Sequence, residues 1–292
     1  MKIIDMYQQK KTVFSMEVFP PKREGDHRKL LEVIDDLKHL NPDFMSVTYG
    51  AGGSTRDMTL EISSEIKNDI GIESMAHLTC VGNSKTEISE VIDRLKEANI
   101  ENILALRGDP PRGEEEFRPV LGGFRFAFEL IDFIRREKNH FSVGVAAYPE
   151  KHPEAHSLEH DIDNLKIKLD KGGDFIITQL FFFNDYYYRF IEKARSMGVD
   201  APVSPGVFLV SNYKQLQKIK ELSGAAIPVE FEQKLFDNRD NPEEMKKIGV
   251  DYALNQSRDL LESGAVDGLH FYIMNRKDLI GEVYEQLKGY FH

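Results

Sequence analysis

The sequence predicts an α/β fold, a (β/α)₈ (TIM) barrel forming one domain over residues 1–292, with extra helical segments between strands 7 and 8. Three observations predict it. Short apolar runs rich in β-branched and aromatic residues recur along the chain, eight in all. Most follow one another at about thirty residues, the length of a βα unit. Stretches of helical period lie between them, such as His27 to Leu40 and Lys85 to Ala98. Alternation of this kind implies a parallel sheet, and eight units imply closure into a barrel.

Taken in order, the runs are Val13 to Phe19, Phe44 to Gly50, Ser74 to Cys80 and Asn102 to Gly108, then Phe141 to Tyr148, Asp174 to Phe182, Val203 to Val210 and Gly268 to Met274. The longer stretch before the last run holds two extra helical segments, around Val229 to Phe236 and Pro242 to Ser263, with the polar break DNRDNP between them. An open doubly wound sheet would favour a Gly-rich turn after an early strand. GAGGST has its glycines at the wrong spacing for a dinucleotide fingerprint, and there is no Walker A match. No linker or low-complexity segment divides the chain.

Composition narrows the setting. One cysteine, Cys80, excludes an intramolecular disulfide and a cysteine-rich zinc site, and its place at a strand end reads as packing. No signal-peptide core and no membrane-length apolar run appears, so a cytoplasmic protein without membrane contact is expected. Acidic residues outnumber basic ones 49 to 38, and the net charge of −11 argues against a nucleic-acid partner.

Several strands end in polar groups that an apolar core would reject. In the first, Phe14, Met16 and Val18 share one face and Ser15 and Glu17 the other, so Glu17 points into the barrel near its upper rim. A carboxylate there is costly unless it is paired, hydrogen-bonded or protonated, and a raised pKa would suit a general acid. Ser46 and Thr48, His77 and Thr79, Arg107 and Asp109, Tyr148 and Gln179 repeat the pattern at corresponding heights. Each alone reads as a satisfied core residue; together they describe a polar cleft at the carboxyl ends of the strands. His152, His156 and His160 recur every four residues, but HPEAH lacks the HExxH arrangement, so no metal is expected.

At these residues the sequence resembles the methylenetetrahydrofolate reductase family. SMEVFPPK, SVTYGAGG, AHLTC, ALRGDPP, AAYPEKHPEA, ITQLFF, PGVFLVSNYKQ and HFYIMNR match the family's motifs in order across almost the whole chain. The resemblance implies FAD as cofactor in preference to FMN, NADH or NADPH as co-substrate, a small-molecule folate substrate and a homo-oligomer. It implies Glu17 as the general acid that helps open the methylene bridge to an iminium, and Asp109 as the charge that stabilises this cation. Implied flavin contacts are Thr48, Tyr49, Ala51, His77, Arg107, Gly108 and Asp109, then Tyr148, His152, Ala155, Asp161, Asn164 and Lys168. Asp161, Asn164 and Lys168 share one helix face by their spacing. Gln179, Gln215 and Arg276 match folate contacts.

The sequence departs from the family at three positions. Ile167 stands where some members carry an arginine, Phe126 where one expects a tyrosine, and Ile219 where an aromatic stacks on nicotinamide and pterin. Certain members work beside a second subunit that supplies electrons, so a flavin- or folate-binding subunit with an electron-transfer partner stands as the alternative. A flavin-free barrel lyase or methyltransferase is the other. A Schiff-base aldolase, however, would want a lysine on an inner strand position, and none of the eight runs contains one.

Overall fold

The computed structural model describes residues 1–21, 26–49, 56–110 and 117–291. Eight parallel strands close into a barrel in sequence order. They are β1 (Val13–Val18), β2 (Phe44–Val47), β3 (Glu73–Thr79), β4 (Asn102–Leu106), β5 (Ser142–Ala147), β6 (Phe175–Leu180), β7 (Val203–Phe208) and β8 (Gly268–Tyr272). Pairing of β1 with β8, through Val13↔Gly268 to Glu17↔Tyr272, completes the circuit. Around it, among the described residues, run α1 (Ile3–Gln9), α2 (His27–Leu37), α3 (Arg56–Glu65), α4 (Lys85–Glu97), α5 (Ala127–Glu137) and α6 (Leu158–Asp170). Then come α7 (Asn184–Ser196), α8 (Tyr213–Ser223), α9 (Val229–Asp237), α10 (Pro242–Ser263) and α11 (Lys277–Leu287). The two extra helices expected before the last strand are α9 and α10.

Strand parity sorts the side chains as expected. Phe14, Met16 and Val18 join the large apolar cluster between strands and helices. Val13, Phe44, Met75, Leu104 and Phe175 instead fill the lower barrel interior. There they meet Ile3 and Met6 of α1, a helix too short for its period to announce it. It plugs the amino-terminal end of the barrel. Its unpaired N–H groups are satisfied by strand side chains, Ile3 N–H donating to Asn102 Oδ1 at 2.7 Å and Ile4 N–H to Ser142 Oγ at 3.2 Å. With its lower end plugged by α1, the open end of the barrel is the upper one.

The expected runs overshoot their strands there. The second ends at Val47 rather than Gly50, the sixth at Leu180 rather than Phe182, and the eighth at Tyr272 rather than Met274. Apolar composition continues past the last ladder hydrogen bond because the emerging residues still pack. Phe182, Phe208 and Val210 build a second apolar cluster with Leu216, Phe231, Leu235 and Met245 over one side of the barrel mouth. Phe181 turns instead to the outer core, stacked on Tyr187 with centroids 5.7 Å apart. Gly249 lets α10 reach this cluster, since a Cβ there would collide with the Val210 carbonyl. Gly249→Ala is therefore expected to destabilise the fold by about 2 kcal/mol, the overpacking outweighing a gain of about 1 kcal/mol in helix propensity. Chemical denaturation checks this, and an unchanged midpoint would show that α10 moves off without cost.

Candidate functional site

The carboxyl ends of the strands carry two connected sets of polar side chains. The first centres on Glu17 of β1, which is 5% exposed. Its Oε2 lies 3.3 Å from His77 Nε2 of β3 and 3.7 Å from His270 Nε2 of β8. Ser46 of β2 connects them, its Oγ 3.4 Å from Glu17 Oε2 and 3.3 Å from His270 Nε2. Below, Ser15 Oγ donates to Leu269 O and sits 2.8 Å from His270 Nδ1. Thr79 Oγ1 is buried without a hydrogen bond.

Glu17 does not have the raised pKa expected of it. Burial pushes the carboxyl up, but hydrogen bonding and charge from His270 and His77 outweigh it and carry it down to about 2. Burial lowers the His270 pKa against the pull of Glu17. The cluster therefore rests with a carboxylate beside His270, whose imidazole burial makes a weaker base.

The second set spans β4, β5 and α6. Arg107 follows β4 and clasps Glu154 with both terminal nitrogens, at 2.6 and 2.8 Å. Gly108 then turns the chain at φ 86, where a Cβ would meet Val81 Cγ1 at 2.7 Å. That turn ends the strand alternation assumed for Arg107 and Asp109, and Asp109 emerges exposed at the rim. With Arg107 engaged by Glu154, Asp109 keeps its negative field, which helps push the half-buried Tyr148 up to about 12 after burial itself. Tyr148 stands edge-on to His152, centroids 4.8 Å apart. His152 Nδ1 accepts from Glu154 N–H at 3.1 Å, and burial first, then Arg107, lowers its pKa. Asp161 Oδ2 accepts from His152 N–H at 2.8 Å. One turn on, Asn164 is half-buried and Lys168 reaches back to the end of β5, its Nζ donating to Ala146 O at 2.5 Å. Burial carries Lys168 down to about 8 against the pull of Asp161. The shared helix face holds as expected. A half-buried ammonium whose hydrogen bond goes to a carbonyl is set to receive an anion.

Other expected residues are placed differently. Thr48 is half-buried at the end of β2, its carbonyl accepting from Thr59 Oγ1 at 2.9 Å. Tyr49 packs its ring on the outer core, its hydroxyl buried without a hydrogen bond. Ala51 lies outside the described residues. Ala155 is buried in the turn before α6, its N–H donating to His152 O at 2.9 Å. Gln179 shares parity with inward Phe175 and Ile177 at a register shift of the β6–β7 pair, and its Oε1 accepts from Leu180 N–H. Gln215 accepts from Ser211 N–H and Oγ at 2.7 and 3.0 Å, fastening the start of α8. Arg276 forks onto Asp278 at 2.9 and 2.8 Å. These last three are engaged locally rather than joined to either polar set.

Of the departures, Phe126 is exposed and stacked on Phe128, Ile167 is exposed, and Ile219 packs on the second apolar cluster. His152, His156 and His160 do not share a helix face, because α6 begins only at Leu158. Cys80 is buried, its thiol donating to Leu106 O, and burial pushes it up to about 12. No described helix is long and apolar enough to cross a membrane.

Two residues that belong to the site escaped the sequence reading. His270 and Tyr272 alternate with Leu269 and Phe271 inside an apolar run. Their parity with Gly268, which pairs with inward Val13, was the available signal. Tyr272 spans the mouth to donate to Thr178 O at 2.8 Å.

Comparison with known proteins identifies the family. The family model described as methylenetetrahydrofolate reductase matches residues 2–288. Methylenetetrahydrofolate reductase (NADH) 1 of Arabidopsis thaliana is 38% identical over 289 residues, covering 94% of this chain and 49% of that protein. The chain thus spans about half the length of the plant relatives it matches. The 5,10-methylenetetrahydrofolate reductase of Escherichia coli is 38% identical over 266 residues, covering 91% of this chain and 87% of that protein. A Clostridium thermocellum protein solved with two copies of 5-methyl-5,6,7,8-tetrahydrofolic acid shares the fold at a TM-score of 0.66 and 14% identity, covering 98% and 97% of the two chains. With the family match running almost from end to end, this chain belongs to the methylenetetrahydrofolate reductase family.

Proposed function

We propose that the chain reduces 5,10-methylenetetrahydrofolate to 5-methyltetrahydrofolate, hydride passing from NADH or NADPH through FAD. The observation that carries this reading is a buried carboxyl, Glu17, facing two imidazoles at the barrel mouth beside a separate polar set suited to an anion. Family membership supports the substrate, as does the folate ligand of the Clostridium thermocellum protein.

The residues present fit FAD. Lys168 is a half-buried cation in want of an anion, which a diphosphate supplies, and Asp161 beside it accepts hydroxyl donors. Buried Thr79 Oγ1 offers an unused polar atom at the end of β3. When bound, FAD supplies the two-electron carrier that links nucleotide oxidation to folate reduction.

The protein's own part is proton supply and charge. Opening the five-membered ring needs a proton at nitrogen, and the cation that results must be tolerated. Glu17, a carboxylate at rest between His77 and His270 at 3.3 and 3.7 Å, would take up a proton as the ligand closes the site and hand it to the ring nitrogen. Asp109, exposed at the rim while Glu154 occupies Arg107, supplies the negative field for the cation.

An anaerobic visible spectrum of the FAD-reconstituted chain tests the reading, taken with methyltetrahydrofolate and, separately, with NADH or NADPH. Bleaching by both is the expected result. Bleaching by folate alone would make the chain a subunit that draws electrons from a partner. A chain that takes up no flavin would sink the proposal.

A further inference from the structure

The β1–β8 ladder ends at Glu17↔Tyr272, yet the two segments remain tied beyond it. Asn275 Oδ1 accepts from Phe19 N–H and Asn275 Nδ2 donates to Phe19 O, both at 2.9 Å. One amide side chain thus reproduces the pair of hydrogen bonds that a neighbouring strand would supply. The backbone bends sharply to present it. Met274 and Asn275 take φ of 49° and 57°, and Arg276 N–H donates to Ile273 O at 2.8 Å. This is a tight turn with both central residues left-handed, a geometry that favours Asn and Gly. Met274 gains nothing from it and is left exposed. Such a turn persists where its surroundings hold it, and here the Asn275 amide does so.

The residue that this turn delivers is Arg276, at the start of α11, its guanidinium aligned by Asp278. We propose that Asn275 is a positioning residue for Arg276. By locking the turn onto Phe19, two residues after Glu17, it holds the guanidinium at a fixed place relative to the proton donor. Asp278 holds Nε and Nη2, and the remaining Nη1 is then set to receive the carboxylate of a ligand's glutamyl tail while the pterin lies at the barrel mouth. This inference rests on the folate reading above.

Four variants and two probes test it by direct calorimetric binding. Asn275→Gly keeps a residue at ease in the left-handed turn but removes the clamp; Met274→Gly relieves the turn and keeps the clamp. Against 5-methyltetrahydrofolate, Asn275→Gly is expected to weaken binding about tenfold, as Arg276→Ala does, with no further loss in the double variant. Met274→Gly should bind as the unmutated chain does. A tetrahydropterin lacking the glutamyl tail should bind all four variants equally. Unaltered binding by Asn275→Gly, losses that add in the double variant, or an equal loss for the tail-less pterin would each overturn the positioning role. Failure of the unmutated chain to bind 5-methyltetrahydrofolate would instead sink the folate reading, and this inference with it.

Discussion

Glu17→Gln is expected to retain bound FAD and folate while losing about 10²- to 10⁴-fold in the rate of methylenetetrahydrofolate reduction, the usual range for removal of a general acid. The glutamine amide is nearly isosteric and can still meet Ser46 Oγ, which lies 3.4 Å from the carboxylate. What it lacks is a transferable proton. Nucleotide oxidation needs no proton from this position and should continue, so single-turnover measurement of each half-reaction separates the two. A folate rate within tenfold of the unmutated chain would remove Glu17 from the mechanism. The same variant carries a stability signature. The folded carboxyl sits at about 2 against an ordinary 4.5, so its contribution is complete above pH 4.5 and lost as pH falls toward 2. Denaturation midpoints of the two chains should therefore converge in that acid window.

Lys168→Met should produce opposite effects on stability and ligand binding. Burial places the folded ammonium at about 8, below its ordinary 10.5, so the fold favours the neutral amine. That preference stabilises the chain fully above pH 10.5 and is lost as pH falls through 10.5 to 8. At pH 7 the ligand-free chain therefore carries a half-buried charge that costs roughly 1–2 kcal/mol. Replacement by Met, which keeps the length and drops the charge, should raise the melting temperature of ligand-free protein at pH 7. It should also flatten the rise in stability between pH 8 and 10.5. FAD affinity should fall about a hundredfold, as for a lost charge-assisted contact to phosphate. A variant that melts lower than the unmutated chain at pH 7, or that holds FAD undiminished, would show that Lys168 is structural.

Both predictions turn on groups whose presence was legible in the sequence and whose state was not. The period of two in VFSMEVF places Glu17 inward, since Phe14, Met16 and Val18 can only face the helices. Spacings of three and four put Asp161, Asn164 and Lys168 on one face of α6. The eight-strand barrel follows from the same kind of local regularity, because each βα unit must bury an apolar face against its neighbours.

Tertiary structure decided the rest. From burial alone Glu17 should titrate high; it titrates low because closure of β1 onto β8 and proximity to β3 bring two imidazoles to one carboxylate oxygen. No spacing along the chain encodes a meeting of residues 17, 77 and 270, which depends on where the barrel closes. His270 was hidden for the same reason, its polarity diluted by Leu269 and Phe271 on the opposite face. Gln215 shows the converse, a motif residue whose oxygen the fold spends on the start of α8. The strand ends ran long because apolar residues go on packing after the ladder stops. What the sequence by itself determined was periodicity, and with it the barrel and the inward face of each strand. What the tertiary structure decided was which inward groups touch, because protonation and hydrogen bonding depend on distances of a few ångströms that only closure of the barrel sets.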